Sequence, residues 1–229
     1  MQIKILKKKY QIKKDDIQKR LNEFKNSHLE NKSWFYEDKK MILKKIELSR
    51  DQIIFEELCF CLLTANTSAV MGMKGIDKVR PFLLNGKYEN IRDALVSSGY
   101  RFPNKRAEYI IEARKKLSDE INLELKKHID SFQNSIDARE YFVTVKGLAY
   151  KEASHFLRNV GYFGITILDK HILRTLHEYG VISEVPKSLN KKRYLEIESK
   201  FIKFCQDVNI DMDEMDLLLW SMKNGNIMK

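Results

Sequence analysis

Two residues of this sequence have the types and positions needed for covalent chemistry, a lysine and an aspartate that each begin a predicted helix. Lys151 follows the segment Val145-Lys-Gly-Leu-Ala-Tyr150 and lies in the first turn of one helix. The positive end of a helix dipole disfavours the ammonium form of a lysine and so favours a nucleophilic amine. Asp169 begins the next helix, and the intervening turn can bring its carboxylate back beside Lys151. The pair predicts nucleophilic catalysis assisted by a carboxylate.

Each of these residues has a more ordinary explanation when it is taken alone. An aspartate that begins a helix running from Lys170 to Tyr179 and ending at Gly180 is a common N-cap. A single lysine at a helix N-terminus is more often a phosphate contact or a solvated side chain. The spacing of Lys151 and Asp169 favours the catalytic interpretation, and a cap role for Asp169 is compatible with it.

The elements that must position this pair are a helix, a hairpin and a second helix over residues 137–161, followed by a loop over 162–169. Apolar residues recur at helical spacing on both sides of the hairpin, and Gly161 ends the second pattern. Gly147 can supply a backbone conformation that other residues avoid, and the amides that open the second helix then point at an anion such as a DNA phosphate. Such a motif binds the DNA backbone and reads no sequence.

Three segments of the sequence resemble a known superfamily. Lys146-Gly-Leu-Ala-Tyr-Lys151-Glu-Ala and Leu168-Asp-Lys-His171 are similar to the helix-hairpin-helix DNA glycosylases. Ala153-Ser-His-Phe-Leu-Arg-Asn-Val-Gly161 and the short chain resemble, within that superfamily, the archaeal-type 8-oxoguanine DNA glycosylase/AP lyases, the second class of that activity. The resemblance runs from roughly Phe55 to Lys229, and it departs from the usual hairpin at Ala149, where a second glycine is common.

The resemblance implies an all-α fold of two interleaved helical lobes, one glycosylase unit over residues 1–229, with the active site in the cleft between the lobes. It implies a bifunctional repair enzyme that flips 8-oxoguanine out of double-stranded DNA and excises it through a Schiff base on Lys151. Asp169 would stabilise the positive charge that develops on the sugar, and β-elimination would then nick the strand. No cofactor would be required, although hairpin carbonyls can hold a monovalent cation, and the enzyme would be a monomer.

Contacts to the DNA backbone are expected at two places. In the hairpin, Gly147 and Ala149 would approach the phosphates, together with Lys146. In the segment before a later helix, Lys105 and Arg106 are expected phosphate contacts, with solvated side chains as the alternative.

The base pocket is expected to draw on residues far apart in the sequence. Phe102 precedes a proline and so lies in extended backbone, from which it could stack on a flipped purine. An aromatic ring that packs on the neighbouring helix is an equal alternative. Asn66 lies in the polar break Thr64–Ser68, which corresponds to the substrate cleft in the resemblance, and a plain helix cap explains it equally well.

The end of the sequence is the last expected part of the pocket. The resemblance places the Trp220 ring and the terminal carboxylate of Lys229 near the damaged base. 8-Oxoguanine carries a proton on N7 that guanine lacks, so a hydrogen-bond acceptor there favours binding of the lesion and disfavours binding of the normal base. A frayed end is the usual alternative for any chain terminus.

Charge and cysteine content limit the classes of function. The 229 residues carry a formal net charge of +10, which favours a polyanionic partner such as DNA, although an AT-rich genome also produces lysine-rich proteins. Cys59, Cys61 and Cys205 are too few for a four-cysteine iron–sulfur site or a disulfide framework. His155 and His171 lack a third ligand at metal spacing, so no metal site is predicted. The N-terminus lacks the apolar run of a signal peptide, and a cytoplasmic protein is expected.

Residues 1–48 are predicted to form a helical extension that packs on the main body, with no strand anywhere in the chain. Two other functions stay open at the level of sequence. One is a glycosylase of the same fold that removes another damaged or mismatched base. The other is a non-catalytic helix-hairpin-helix module that only binds DNA.

Overall fold

The computed structural model describes residues 2–225, 227 and 229, and these form helices with one small β-hairpin near the N-terminus. In chain order the elements are α1 (Gln2–Asn26), β1 (Lys32–Glu37), β2 (Lys40–Lys45), α2 (Arg50–Thr64), α3 (Ala69–Val79), a short 3-10 turn (Arg80–Phe82), α4 (Tyr88–Ser97), α5 (Pro103–Ile121), α6 (Leu125–Asp130), α7 (Ser135–Phe142), α8 (Tyr150–Asn159), α9 (Lys170–Glu178), α10 (Lys191–Val208) and α11 (Met212–Asn224). Within the described residues, no helix is both long enough and apolar enough to cross a membrane.

Helix α2 is the centre of the hydrophobic core. It begins at a capping box between Ser49 and Gln52, and every residue from Ile53 to Thr64 is buried. A helix that is buried on all sides must be covered by several others, and α2 packs against α3, α5, α6 and α8. The chain therefore builds the helices that carry the candidate site around one central helix.

The N-terminal region differs from its prediction over residues 32–45. Helix α1 is present as expected, but β1 and β2 form an antiparallel pair in which Trp34 lies opposite Leu43. The turn between the strands places Asp38 and Lys39 at φ of 48° and 62°, the left-handed conformation of a two-residue hairpin turn. Asn-Gly is the usual signal for that turn, and Asp38-Lys39 stands in its place here. The expectation that no strand forms was wrong here.

The predicted helix-hairpin-helix is confirmed by α7, α8 and the turn that joins them. Gly147 has a φ of 97°, and a Cβ atom there would lie 2.6 Å from the Tyr109 ring and 2.9 Å from the Leu62 side chain. Glycine is thus required at this position by both backbone conformation and space. Ala149 has extended backbone, with φ of −98° and ψ of −176°, so an alanine fits there without strain.

Candidate active site

Lys151 and Asp169 line the same cavity, which has a volume of about 510 Å³. Trp220 of α11 and Lys229 contribute to its wall as well. Four residues that were predicted from separate parts of the sequence are thus brought together at one site. The first turn of α8 supplies Lys151 and the N-cap of α9 supplies Asp169, the two residues that were predicted to do chemistry.

Lys151 lies in the first turn of α8, and its side chain is about one quarter exposed. Its Nζ atom is 3.3 Å from Oε1 of Glu152. His155 and Arg158 follow on the same helix at intervals that place them on the cavity side, and both line the cavity. The helix therefore presents a lysine, a histidine and an arginine to one space.

His155 is uncharged in this setting. Burial lowers the pKa of His155 well below its usual range, and the nearby cations Arg158, Lys151 and Lys229 lower it further. Its ring packs edge-on against Phe60, with the ring centroids 5.8 Å apart. A neutral imidazole among three cations can face a neutral base without adding a fourth positive charge.

Asp169 both caps a helix and faces the cavity. Its Oδ1 atom accepts a hydrogen bond of 2.8 Å from the backbone N–H of Ile172, which is the N-cap interaction of α9. Among the described residues, no donor contacts the other carboxylate oxygen, Oδ2. The structure thus confirms the predicted cap and leaves one oxygen for a second role.

The loop before Asp169 is held in place by hydrogen bonds to the hydroxyl group of Tyr194 on α10. This hydroxyl donates to the carbonyl of Thr166 at 2.7 Å and accepts from the backbone N–H of Leu168 at 3.2 Å. All three residues are buried. A loop without regular structure would otherwise leave these two backbone groups unpaired, so Tyr194 determines where the loop delivers Asp169.

A buried ion pair supports the same loop. Glu198 accepts hydrogen bonds from the backbone N–H and the hydroxyl of Thr166, at 3.0 and 2.8 Å. Arg139 of α7 donates to both Glu198 oxygens, at 2.6 and 2.8 Å. Burial acts to raise the pKa of Glu198, but the bonds from Arg139 and Thr166 outweigh it and hold that pKa below its usual value. Helices α7 and α10 are thereby tied to the segment that ends at Asp169.

Phe102 and Asn66 lie outside the cavity that contains Lys151. They line a second, more open cleft of about 470 Å³, together with the hairpin residues Gly147 and Ala149. Asn66 is exposed and has a φ of 63°, and Ser68 rather than Asn66 caps α3. Contact of Phe102 or Asn66 with a flipped base stays a prediction.

The three cations that were predicted to contact phosphate differ in their surroundings. Lys105 and Lys146 are exposed, and each is paired with an acidic residue of α5, at 2.8 Å for Glu108 and 2.7 Å for Glu112. Arg106 is buried and donates to the carbonyl of Ala65 at 2.7 Å, so it fixes the end of α2. Phosphate contact stays a prediction for all three.

Several residues of the cavity wall were not assigned to the site from the sequence, and two of them, His155 and Arg158, lie on the same helix as Lys151. From the sequence, His155 was only excluded as a metal ligand, and no role was predicted for Arg158. Both could have been found from their spacing after Lys151, since positions four and seven residues later share a helix face.

Comparison with known proteins identifies the family of this chain. The model of one protein family, described as 8-oxoguanine DNA glycosylase, matches residues 37–210. The chain belongs to the 8-oxoguanine DNA glycosylase family. The all-α helix-hairpin-helix glycosylase fold predicted from the sequence is thereby confirmed.

Relatives in this family match almost the whole chain. An 8-oxoguanine DNA glycosylase/AP lyase of Methanocaldococcus jannaschii is 39% identical over 218 residues, which cover 94% of this chain and 93% of the relative. One of Fusobacterium nucleatum is 40% identical over 213 residues, covering 91% and 97%. The crystal structure of the M. jannaschii 8-oxoguanine glycosylase/lyase with a 15mer DNA containing 8-oxoguanine matches with a TM-score of 0.81 at 37% identity, covering 98% of this chain and 99% of that one.

Proposed function

We infer that this protein is a bifunctional DNA repair enzyme that excises 8-oxoguanine from double-stranded DNA and then cleaves the strand at the resulting abasic site. The observation that carries this function is the shared cavity of Lys151 and Asp169 beside a DNA-binding hairpin. The names of the relatives supply the substrate, and the net charge of +10 suits a DNA partner.

The cavity suits a base that has been rotated out of the duplex. Its volume of about 510 Å³ lies inside the range of roughly 300–1,000 Å³ that is usual for small-ligand pockets. Trp220 supplies an aromatic face for stacking, and extrusion of the nucleotide costs a few kcal/mol of lost stacking and pairing. The sugar of the same nucleotide would then lie near the mouth, where α8 and α9 begin.

In the proposed reaction, the amine of Lys151 attacks C1′ of the lesion nucleotide as the bond from C1′ to the base breaks. The free Oδ2 of Asp169 stabilises the positive charge on the sugar and can take a proton from the amine. Opening of the sugar ring gives an imine between Lys151 and C1′. Loss of a proton from C2′ then expels the 3′ phosphate and cuts the strand.

Recognition of the base and of the backbone rests on further predictions. Lys229 lies in the cavity wall, which supports the expectation that this residue contacts the damaged base. The hairpin around Gly147 would bind phosphates, and its carbonyls may be tested for a monovalent cation by comparing potassium with lithium salts. The scheme uses no other cofactor, and cytoplasmic location stays a prediction.

The test is a trapping experiment with a labelled duplex that contains one 8-oxoguanine opposite cytosine. In the presence of sodium borohydride, we expect a covalent band on a denaturing gel, because reduction fixes the imine. Lys151→Gln should bind the duplex and give no band. The matched control is Lys203→Gln, which removes an exposed lysine of α10 that lines neither the cavity nor the cleft beside the hairpin and should leave the band intact.

The outcomes separate the other candidate functions. Release of free base without a covalent band would retain the glycosylase and remove the lyase. Activity on another lesion alone would change the substrate and keep the chemistry. Binding without either reaction, and without any effect of Asp169→Asn, would leave only a DNA-binding module.

A further inference from the structure

We propose that Glu57 is a positioning residue that holds Lys229 in the cavity wall and so controls excision of the base, while strand cleavage at an abasic site does not depend on it. This inference rests on the proposed function. It concerns a carboxylate in the middle of the central helix, where sequence patterns indicate only a buried stretch.

Both oxygens of Glu57 are engaged. Oε2 lies 2.6 Å from Nζ of Lys229, and Oε1 accepts a hydrogen bond of 2.6 Å from the side-chain amide of Asn159. Asn159 is the last residue of α8, the helix that begins with the segment containing Lys151. Glu57 therefore connects Lys229 to α2 and to the catalytic helix at once.

The ammonium group of Lys229 is enclosed. Its side chain is 2% exposed, and Nζ lies 4.0 Å from the centroid of the Phe60 ring and 5.5 Å from that of Trp34. A further polar neighbour is the sulfur of Met73, at 3.7 Å. Among the described residues, Glu57 is the one carboxylate paired with this ammonium group.

An ion pair this deeply buried is sensitive to the loss of one partner. Removing one charge of a buried pair leaves the other without compensation, and this is usually strongly unfavourable. With a neutral residue at position 57, the buried ammonium group gains more from water than from the apolar wall. Lys229 would then leave the wall, and the base would lose one side of its pocket.

Asp169 has supports of its own. Asp169 is placed by the cap of α9 and by the bonds of Tyr194 and Glu198 to the preceding loop, none of which includes Lys229. Reaction at an abasic site has no base to bind and needs only the amine and the carboxylate. Loss of Glu57 should therefore separate the two activities of the enzyme.

The experiment compares Glu57→Gln with the unchanged protein on two substrates. Glutamine keeps the shape of the side chain and an acceptor for Asn159, and it removes the charge. Single-turnover excision on the 8-oxoguanine duplex is expected to fall by about tenfold or more, because a buried ammonium loses its partner. Borohydride trapping on a duplex with a preformed abasic site is expected to stay within about twofold, since Asp169 keeps its supports and the glutamine keeps an acceptor for Asn159 at the end of the helix that carries Lys151.

Glu56→Gln is the matched control. Glu56 is the neighbouring residue of α2, is equally buried, and pairs with Nε of Arg80 at 2.7 Å on the side of the β-hairpin. This change removes the same charge from a buried pair that lies outside the cavity. It should lower stability in a similar way and leave the ratio of excision to abasic-site trapping unchanged.

A rescue variant tests the pairing itself and guards against poor folding of the single variant. In Glu57→Gln with Lys229→Met, neither partner is charged, so a buried apolar chain can return to the wall, and excision should recover relative to Glu57→Gln. The inference is overturned if Glu57→Gln lowers both activities equally, if Glu56→Gln gives the same selective loss, or if the double variant shows no recovery. Failure of the unchanged protein on both substrates would instead refute the proposed function.

Discussion

Replacing Tyr194 by phenylalanine removes a single oxygen atom and should weaken both the fold and the reaction. That oxygen pairs with two buried backbone groups, the carbonyl of Thr166 and the N–H of Leu168. A buried polar group that loses its partner costs about 1–3 kcal/mol, and two such groups are affected, so the free energy of unfolding should fall by about 2–6 kcal/mol. The segment held by these bonds ends at Asp169, so the rate of imine formation should fall as well.

The assay combines denaturant unfolding with borohydride trapping under single turnover. Trapping should slow on the 8-oxoguanine duplex and on the abasic duplex alike, because Asp169 takes part in both reactions of the proposed mechanism. Tyr150→Phe is the control, since its ring lies 5.3 Å from that of Tyr194 but its hydroxyl donates to Glu140, a partly exposed carboxylate that water can solvate. A stability loss below about 0.5 kcal/mol for Tyr194→Phe, or one no larger than that of Tyr150→Phe, would refute the reasoning.

Three further perturbations test other parts of the molecule. Burial raises the pKa of Asp216 to about 7, so the folded protein keeps a proton that the unfolded chain loses at about pH 4. The contribution of this group to the free energy of unfolding therefore falls as pH rises between those two values. Asp216→Asn should flatten the decline of melting temperature from about pH 5 to 8. Gly147→Ala should destabilise more than Gly164→Ala, because both have positive φ but only the first new methyl group meets neighbouring side chains; equal losses in chemical denaturation would contradict this. Replacing Lys105 and Lys146 with glutamine should lower the salt dependence of DNA binding by about 0.9 per lost phosphate contact, and the same change at Lys200 and Lys203, two exposed and acid-paired lysines of α10, is the matched control; an unchanged slope would refute phosphate contact by Lys105 and Lys146.

Local signals made the catalytic segment predictable from the sequence. A glycine that needs a positive φ, a helix that opens before Lys151 and an aspartate that caps the next helix are all encoded within a few residues of one another. The fold itself followed from the apolar spacing of the same segment and from its family resemblance. The side-chain role of Asp169 as a cap was visible for the same reason.

The remainder depended on contacts between distant parts of the chain. Phe102 was expected at the base because its local backbone lets it project, but the packing of α5 on the hairpin decides where it projects. The role of Glu57 could not be predicted from its apolar helix, because Lys229, which pairs with its buried charge, lies at the other end of the sequence. The β-hairpin was not predicted because its turn consists of Asp38 and Lys39, two residue types that are not a usual signal for such a turn.

Because the two oxygens of Asp169 have separate tasks, the fold does not depend on the oxygen that the proposed reaction uses. One oxygen holds the start of α9, and asparagine caps a helix about as well as aspartate does. A chain with asparagine at this position would keep its helices, its cavity and its hairpin, and would bind damaged DNA without cutting it. Overall similarity of shape therefore cannot distinguish a repair enzyme from a protein that only binds damaged DNA. The presence of an oxygen or a nitrogen as the second terminal atom of the side chain at position 169 can.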